Sequence, residues 1–222
     1  MKIKGAIFDM DGTLVNSLMF WEYLWDELNK KYINKKDFKP AEEVDKLVRA
    51  MIFSDAVAYI KDYYKLSADE KDIIDFSERG LVEFYKNVAK RKDGASELLE
   101  YLKARGIKVC LASATAREYI SVALDSCGID KYFDCILSCG DIGVGKDKPD
   151  IYLLAAEKLG LDVEEICVFE DSFVALETAK SAGFLTVGIY DKYNYEHGRL
   201  KAASTVYLDK DHTLDELIEY ID

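Results

Sequence analysis

The chain has 222 residues, half of them hydrophobic, and a net charge of −12 at pH 7. That length suffices for one α/β domain with a large insertion or for two small domains. So acidic a chain repels nucleic-acid backbones, which excludes nucleic acid as an expected partner, and any phosphate site in it needs local cations or a metal.

The chain starts Met1-Lys2-Ile3-Lys4-Gly5 and enters at once an apolar stretch, residues 5–8, that reads as a short buried strand. This opening lacks the apolar core and small-residue cleavage site of a signal peptide, and no apolar run approaches membrane-spanning length. A soluble, cytoplasmic protein with no membrane partner is expected. The strand delivers Asp9-Met10-Asp11-Gly12-Thr13, two carboxylates two residues apart where the chain turns at Gly12. A carboxylate there can be a nucleophile, a metal ligand or a general acid, or only part of an Asp-Gly turn.

Residues 17–91 carry no convincing strand and are rich in Leu, Tyr, Lys and Glu at helical spacing, with a capping box at Ser67-Ala68-Asp69-Glu70. They read as an inserted helical domain of about four helices, leaving residues 1–16 and 92–222 as the core. Trp21 and Trp25 share one helical face, and packing within the insertion is their preferred reading over contact with a substrate. Arg49 and Lys61 could take a second anionic group of a substrate, although solvated surface positions are preferred for both. The basic run from Lys86 to Lys92 reads as a solvated hinge.

Four more apolar runs follow, at 107–112, 135–137, 166–169 and 185–190. Each is short and continuously apolar, as in strands covered on both faces of a parallel sheet. Helical patterns separate them: 94–105 closed by Gly106, one opened by Thr115-Ala116-Arg117-Glu118 and ending at Gly128, 150–159 ending at Gly160, and 172–182 ending at Gly183. Thr213-Leu214-Asp215-Glu216 caps a last helix. This alternation predicts an α/β fold with a doubly wound parallel sheet. Cys110, Cys127, Cys135, Cys139 and Cys167 lack Cys-x-x-Cys spacing and read as buried free thiols. His197 and His212 are the only histidines; His197 sits in a polar segment and reads as a surface residue. Acid–base chemistry at an N-terminal site therefore falls to carboxylates or lysines.

Ligands of an open parallel sheet bind beyond the carboxyl ends of its strands. The first strand brings Asp9 and Asp11 there. The second brings Ser113, just before a helix N-terminus suited to phosphate. The third is followed by Gly143-Val144-Gly145-Lys146-Asp147-Lys148-Pro149-Asp150, with two lysines, and the fourth by Glu170-Asp171-Ser172. In this order the four pieces resemble the haloacid dehalogenase-like hydrolases. The likeness covers residues 1–16 and 92–210, and the position of the helical insertion is similar to that in phosphoglycolate phosphatase-like enzymes and β-phosphoglucomutase.

That resemblance implies a Rossmann-like core and a set of roles. Asp9 would be the nucleophile that forms an aspartyl-phosphate, and Asp11 the general acid and base. Ser113, with Ala114 and Gly12, would hold phosphate oxygens together with Lys146. The family places its lysine three residues before the Pro-Asp pair, which favours Lys146 over Lys148, although no proline directly follows Lys146 here. A Mg2+ cofactor is implied, held by Asp9, Asp11 through its carbonyl, and Asp171, with Glu170 binding directly or through water. The expected protein is a magnesium-dependent phosphatase of a small phosphorylated metabolite, acting as a monomer. A phosphomutase is the alternative, disfavoured because the insertion has no histidine; a phospho-ligand-binding protein without turnover is a third reading.

Overall fold

The computed structural model describes residues 1–49, 51 and 53–222 and divides into two units. The first joins Met1–Ser17 to Ala89–Asp222, and the second is Leu18–Val88. The first unit holds the sheet. In chain order its strands are β1 (Gly5–Phe8), a small antiparallel ribbon of β2 (Val15–Asn16) and β3 (Lys90–Arg91), then β4 (Lys108–Ser113), β5 (Cys135–Ser138), β6 (Ile166–Glu170), β7 (Leu185–Ile189) and β8 (Val206–Leu208). Apart from the ribbon these form one six-stranded sheet in the order β5-β4-β1-β6-β7-β8, with every neighbouring pair parallel.

The continuous apolar runs are strands for the reason their composition implies: both faces are covered. All four residues of β1 and all five of β6 are buried. Successive side chains alternate between faces. On one face Phe8 stacks on Phe169, its register partner, with ring centroids 4.2 Å apart. On the other, Ile7, Cys110 and Val168 pack with Ile151, Tyr152, Ala155 and Leu159 in a single buried cluster. The chain runs outward from β1 through β4 to β5, then returns to β6 on the far side of β1. The β1–β6 junction is therefore the topological switch point, where such sheets bind ligands.

The second unit supplies α1 (Phe20–Leu28), a π-helical turn (Asn29–Ile33), α2 (Glu42–Val48), α3 (Phe53–Tyr64) and α4 (Glu70–Asn87). Leu24, Leu28, Val57, Ile60, Ile73 and Phe84 are among its enclosed residues. The fold class is thus the expected one, a doubly wound parallel sheet with an inserted all-helical region. No helix among the described residues is long and apolar enough to cross a membrane.

The helices of the first unit are α5 (Ala95–Ala104), α6 (Arg117–Cys127), a short α7 (Cys139–Ile142), α8 (Asp150–Leu159), α9 (Phe173–Ser181) and α10 (His197–Ala203), followed by a 3-10 segment, Leu214–Tyr220. The Thr213–Glu216 capping box forms, but it opens that 3-10 segment rather than an α-helix. The box expected at Thr115 does not form: α6 begins at Arg117, with Ala116 at its N-cap and no side-chain cap. In the second unit Asp69, not Ser67, caps α4, accepting from the Lys71 N–H at 3.1 Å. The three-residue β8 and the two-residue ribbon strands escape sequence reading because they are too short to show a period.

Some side chains keep their expected settings, both tryptophans and four of the cysteines among them, and others do not. Trp25 is buried, with its ring against Phe38 and Tyr64 and its Nε1 donating to Asp45 Oδ1 at 2.6 Å. Trp21 packs beside Phe20 and Phe53. Arg49 is no solvated surface charge: its side chain is only 17% exposed, and its Nε donates to Asp45 Oδ2 at 2.9 Å. Lys61 lies 3.8 Å from Asp62. Lys92, read as part of a solvated hinge, is half-buried and pairs with Asp191 at 3.0 Å. His197 is half-buried and stacks on the Tyr190 ring at 4.5 Å. Cys110, Cys127, Cys139 and Cys167 are buried thiols, while Cys135 is only half-buried.

Candidate active site

The site begins with the β1–β6 pairing. Phe8 and Phe169 are register partners, and the Asp9 N–H donates to the Phe169 carbonyl at 3.0 Å. The next residue on each strand, Asp9 and Glu170, therefore emerges side by side, followed on β6 by Asp171. Asp9, Glu170 and Asp171 are 6%, 2% and 5% exposed, and each offers a carboxylate oxygen within 4.8 Å of the others.

One cation stands inside this cluster. The loop between α7 and α8 carries Lys146, whose Nζ donates to Asp9 Oδ1 and, at 2.8 Å, to Glu170 Oε2. Burial opposes the lysine's charge, but Asp9 and Glu170 outweigh it and raise its pKa well above the ordinary lysine value. Lys148 is exposed and lies outside the cluster. Glu170 is held further by the Tyr152 hydroxyl at 3.3 Å on Oε2 and the Ser172 N–H at 3.3 Å on Oε1.

One ammonium does not balance three enclosed carboxylates. Burial, then the charge of Glu170, pushes the Asp9 carboxyl up to about 7 despite Lys146. Burial, then Asp9 and Glu170, drives Asp171 well above the carboxylate range. Three clustered carboxylates resist ionisation together unless a cation joins them. An all-oxygen donor set of this kind suits a hard divalent cation. The residues present fit one.

Asp11 has a different setting. It is half-buried, and its carboxylate accepts from Ser17 Oγ at 2.6 Å and from Thr115 Oγ1 at 2.7 Å. Its side chain is not a member of the three-carboxylate group. Ser113 ends β4 fully buried, its Oγ accepting the Thr115 N–H at 3.0 Å, and Ala114 beside it is exposed. Gly12 does not offer the donor expected of it. Its N–H is engaged by the Val15 carbonyl at 2.8 Å, and its φ of +84° is the turn conformation that glycine adopts freely.

Sequence reasoning missed the groups that hold these side chains. Thr13 Oγ1 donates to Asp171 Oδ1 at 3.1 Å, and the Asn194 amide donates to Asp171 Oδ2 and, at 3.0 Å, to the Asp171 carbonyl. Thr13 stood inside the first motif, so its proximity was a usable signal. Asn194 follows β7 and stands 23 residues from Asp171, with nothing local to mark it.

A profile of the haloacid dehalogenase-like hydrolases matches residues 3–183. The chain belongs to that family. A phosphorylated carbohydrates phosphatase of Thermotoga maritima is 27% identical to it over 224 residues, spanning 99% of this chain and 100% of its own. A validoxylamine A 7'-phosphate phosphatase of Streptomyces hygroscopicus subsp. limoneus is 26% identical over 204 residues, covering 87% of this chain and 88% of its own. A solved Thermotoga maritima structure assigned as a β-phosphoglucomutase superposes with a TM-score of 0.83 at 24% identity, over 98% of this chain and 99% of that one, and shares the fold. The match to the haloacid dehalogenase-like hydrolases takes in Asp9, Asp11, Ser113, Lys146, Glu170 and Asp171, and ends before Asp191 and Asn194.

Proposed function

We propose that the protein is a magnesium-dependent phosphatase that hydrolyses a small phosphorylated metabolite, with sugar phosphates as the first class to test. The observation that carries this is the contrast between its two N-terminal carboxylates. Asp9 sits against Lys146 in an acidic cluster, while Asp11, two residues on, is held by two hydroxyls. Two carboxylates with different surroundings suit two different tasks. The names of the two phosphatase relatives support the substrate class.

In this reading Asp9 attacks phosphorus as the P–O bond to the alcohol breaks, and Asp11 passes its proton to the departing oxygen. The alcohol leaves and Asp9 carries an acyl phosphate. Water then attacks phosphorus, Asp11 takes its proton, the bond to Asp9 breaks, and orthophosphate departs. Lys146 favours the ionised form of Asp9 and faces the charge on the transferring phosphoryl group. Ser113 and the adjacent Ala114 N–H, at the end of β4, hold its oxygens. Asp9 and Asp171, with Glu170 beside them, would hold Mg2+, which supplies charge neutralisation to the carboxylates and the phosphoryl oxygens.

The test is release of orthophosphate from a panel of sugar phosphates, with and without magnesium. Turnover that stops in excess chelator and returns with Mg2+ is expected. Isomerisation of a sugar phosphate with no orthophosphate released would assign a mutase, and turnover indifferent to chelator would overturn the mechanism.

A further inference from the structure

Asp171 is gripped on both carboxylate oxygens. Thr13 Oγ1 donates to Oδ1 at 3.1 Å, and Asn194 Nδ2 donates to Oδ2. The same Asn194 nitrogen reaches the Asp171 backbone carbonyl at 3.0 Å. The carbonyl accepts only, as does the carboxylate once ionised, so the amide presents its nitrogen to both. One side chain thus fixes the carboxylate relative to its own backbone.

Asn194 is itself held. It lies in the loop after β7, where Asp191 makes a tight turn: the Asn194 N–H donates to the Asp191 carbonyl at 3.0 Å, and the Tyr193 N–H to Asp191 Oδ1 at 3.0 Å. Asp191 is 5% exposed and pairs with Lys92 Nζ at 3.0 Å, while the same Nζ donates to the Tyr190 carbonyl at 2.9 Å. The nearby lysine charge is therefore matched by Asp191, and the group that touches Asp171 is a neutral amide. That distinction matters chemically. A neutral donor orients a carboxylate without cancelling its charge, and each oxygen keeps a lone pair for a cation.

We propose that Asn194 is a positioning residue for the cation site, holding Asp171 toward Asp9 and Glu170, with the Lys92–Asp191 pair anchoring its loop. The proposal rests on the reading of Asp9, Glu170 and Asp171 as a magnesium site. Partners of this kind behind a metal ligand are typically worth about 10–100-fold in metal affinity.

The experiment measures Mg2+ binding directly, by isothermal titration calorimetry on the whole protein, alongside phosphatase assays over a magnesium range. The variants are Asn194→Ala and Asn194→Leu, the second near-isosteric so that folding is preserved if the first is unstable. Expected is a dissociation constant for Mg2+ raised about 10–100-fold, with kcat largely recovered at saturating magnesium and little change in the melting temperature of the metal-free protein. Unaltered Mg2+ affinity in the folded variants overturns the proposal and leaves the phosphatase reading standing. Wild-type protein that binds Mg2+ but releases no phosphate sinks that reading and not this one. Wild-type protein that binds no Mg2+ overturns both.

Discussion

The Thr115 hydroxyl donates to Asp11 Oδ2 at 2.7 Å, and the helix it precedes begins without a side-chain cap. A threonine in a capping-box pattern has been drawn to a carboxylate instead. A lost cap costs about 1 kcal/mol, whereas a hydrogen bond to a charged group is worth about 1.5–3 kcal/mol. The second partner wins where the carboxylate is already held in place, as Asp11 is by Ser17 Oγ at 2.6 Å. Thr115→Val keeps the shape and removes the donor. We expect kcat to fall about ten- to a hundredfold with KM little changed, and Thr115→Ser to retain most activity. Steady-state kinetics of both variants decide it: equal activity in Val and Ser variants would show that the bond does not serve proton transfer.

The acidic cluster predicts a protein whose stability depends on its metal. Burial and the neighbouring carboxylates leave Asp9 and Asp171 resisting ionisation despite Lys146 beside the one and Lys92 near the other. Binding of Mg2+ to the folded state alone stabilises it by about 2.7 kcal/mol at a hundredfold excess over the dissociation constant. At roughly 2–4 °C per kcal/mol for a chain of this size, the melting temperature should rise by about 5–10 °C. Asp171→Asn should abolish most of that rise. A melting temperature indifferent to both Mg2+ and chelator would argue against a metal at this cluster.

The two candidate lysines separate cleanly by position. Lys146 touches Asp9 and Glu170, and its side chain is 9% exposed, while Lys148 is exposed. Lys146→Ala should lower kcat/KM by about 10²–10³-fold, the loss typical of a removed electrostatic donor at a transition state. Lys148→Ala should stay within about threefold. The reverse ranking in a side-by-side assay would move the role to Lys148.

What could be read in advance divides along physical lines. Asp9, Glu170 and Asp171 were legible because they stand at or just beyond the ends of two continuously apolar runs, and strand ends in a parallel sheet share one rim. Lys146 needed only its loop to lie on that rim. The side chains that hold these groups were not legible, because hydrogen bonds between distant segments leave no periodic trace. Thr115 reaches Asp11 across 104 residues and Asn194 reaches Asp171 across 23. Lys92 was misread for a related reason. A basic run predicts solvent until its partner is known, and the partner here, Asp191, lies in the loop after β7.

Arg49 was open to two readings from sequence, a surface charge or an anchor for a substrate's second anionic group, and the helical unit answers differently. Asp45 on α2 gathers two donors: Trp25 Nε1 from α1 at 2.6 Å on Oδ1, and Arg49 Nε at 2.9 Å on Oδ2. Arg49 Nη1 also reaches the Leu18 carbonyl at 3.4 Å. The carboxylate thus ties the start of this unit to α1 and α2, and Arg49 has two of its donors engaged in that tie. Removing Asp45 leaves an indole N–H and a guanidinium without their acceptor in a mostly enclosed place. Asp45→Ala should therefore cost about 2–4 kcal/mol, more than Trp25→Phe or Arg49→Ala at about 1–2 kcal/mol each. The three changes share one network, so their effects should not add. Urea unfolding of the single and double variants measures this. The same variants test the rival role of Arg49. If it serves structure, Arg49→Ala lowers stability while the ratio of kcat/KM values for a sugar phosphate and an aryl phosphate stays within about threefold. A large loss confined to the sugar phosphate, at unchanged stability, would return Arg49 to the task of binding substrate.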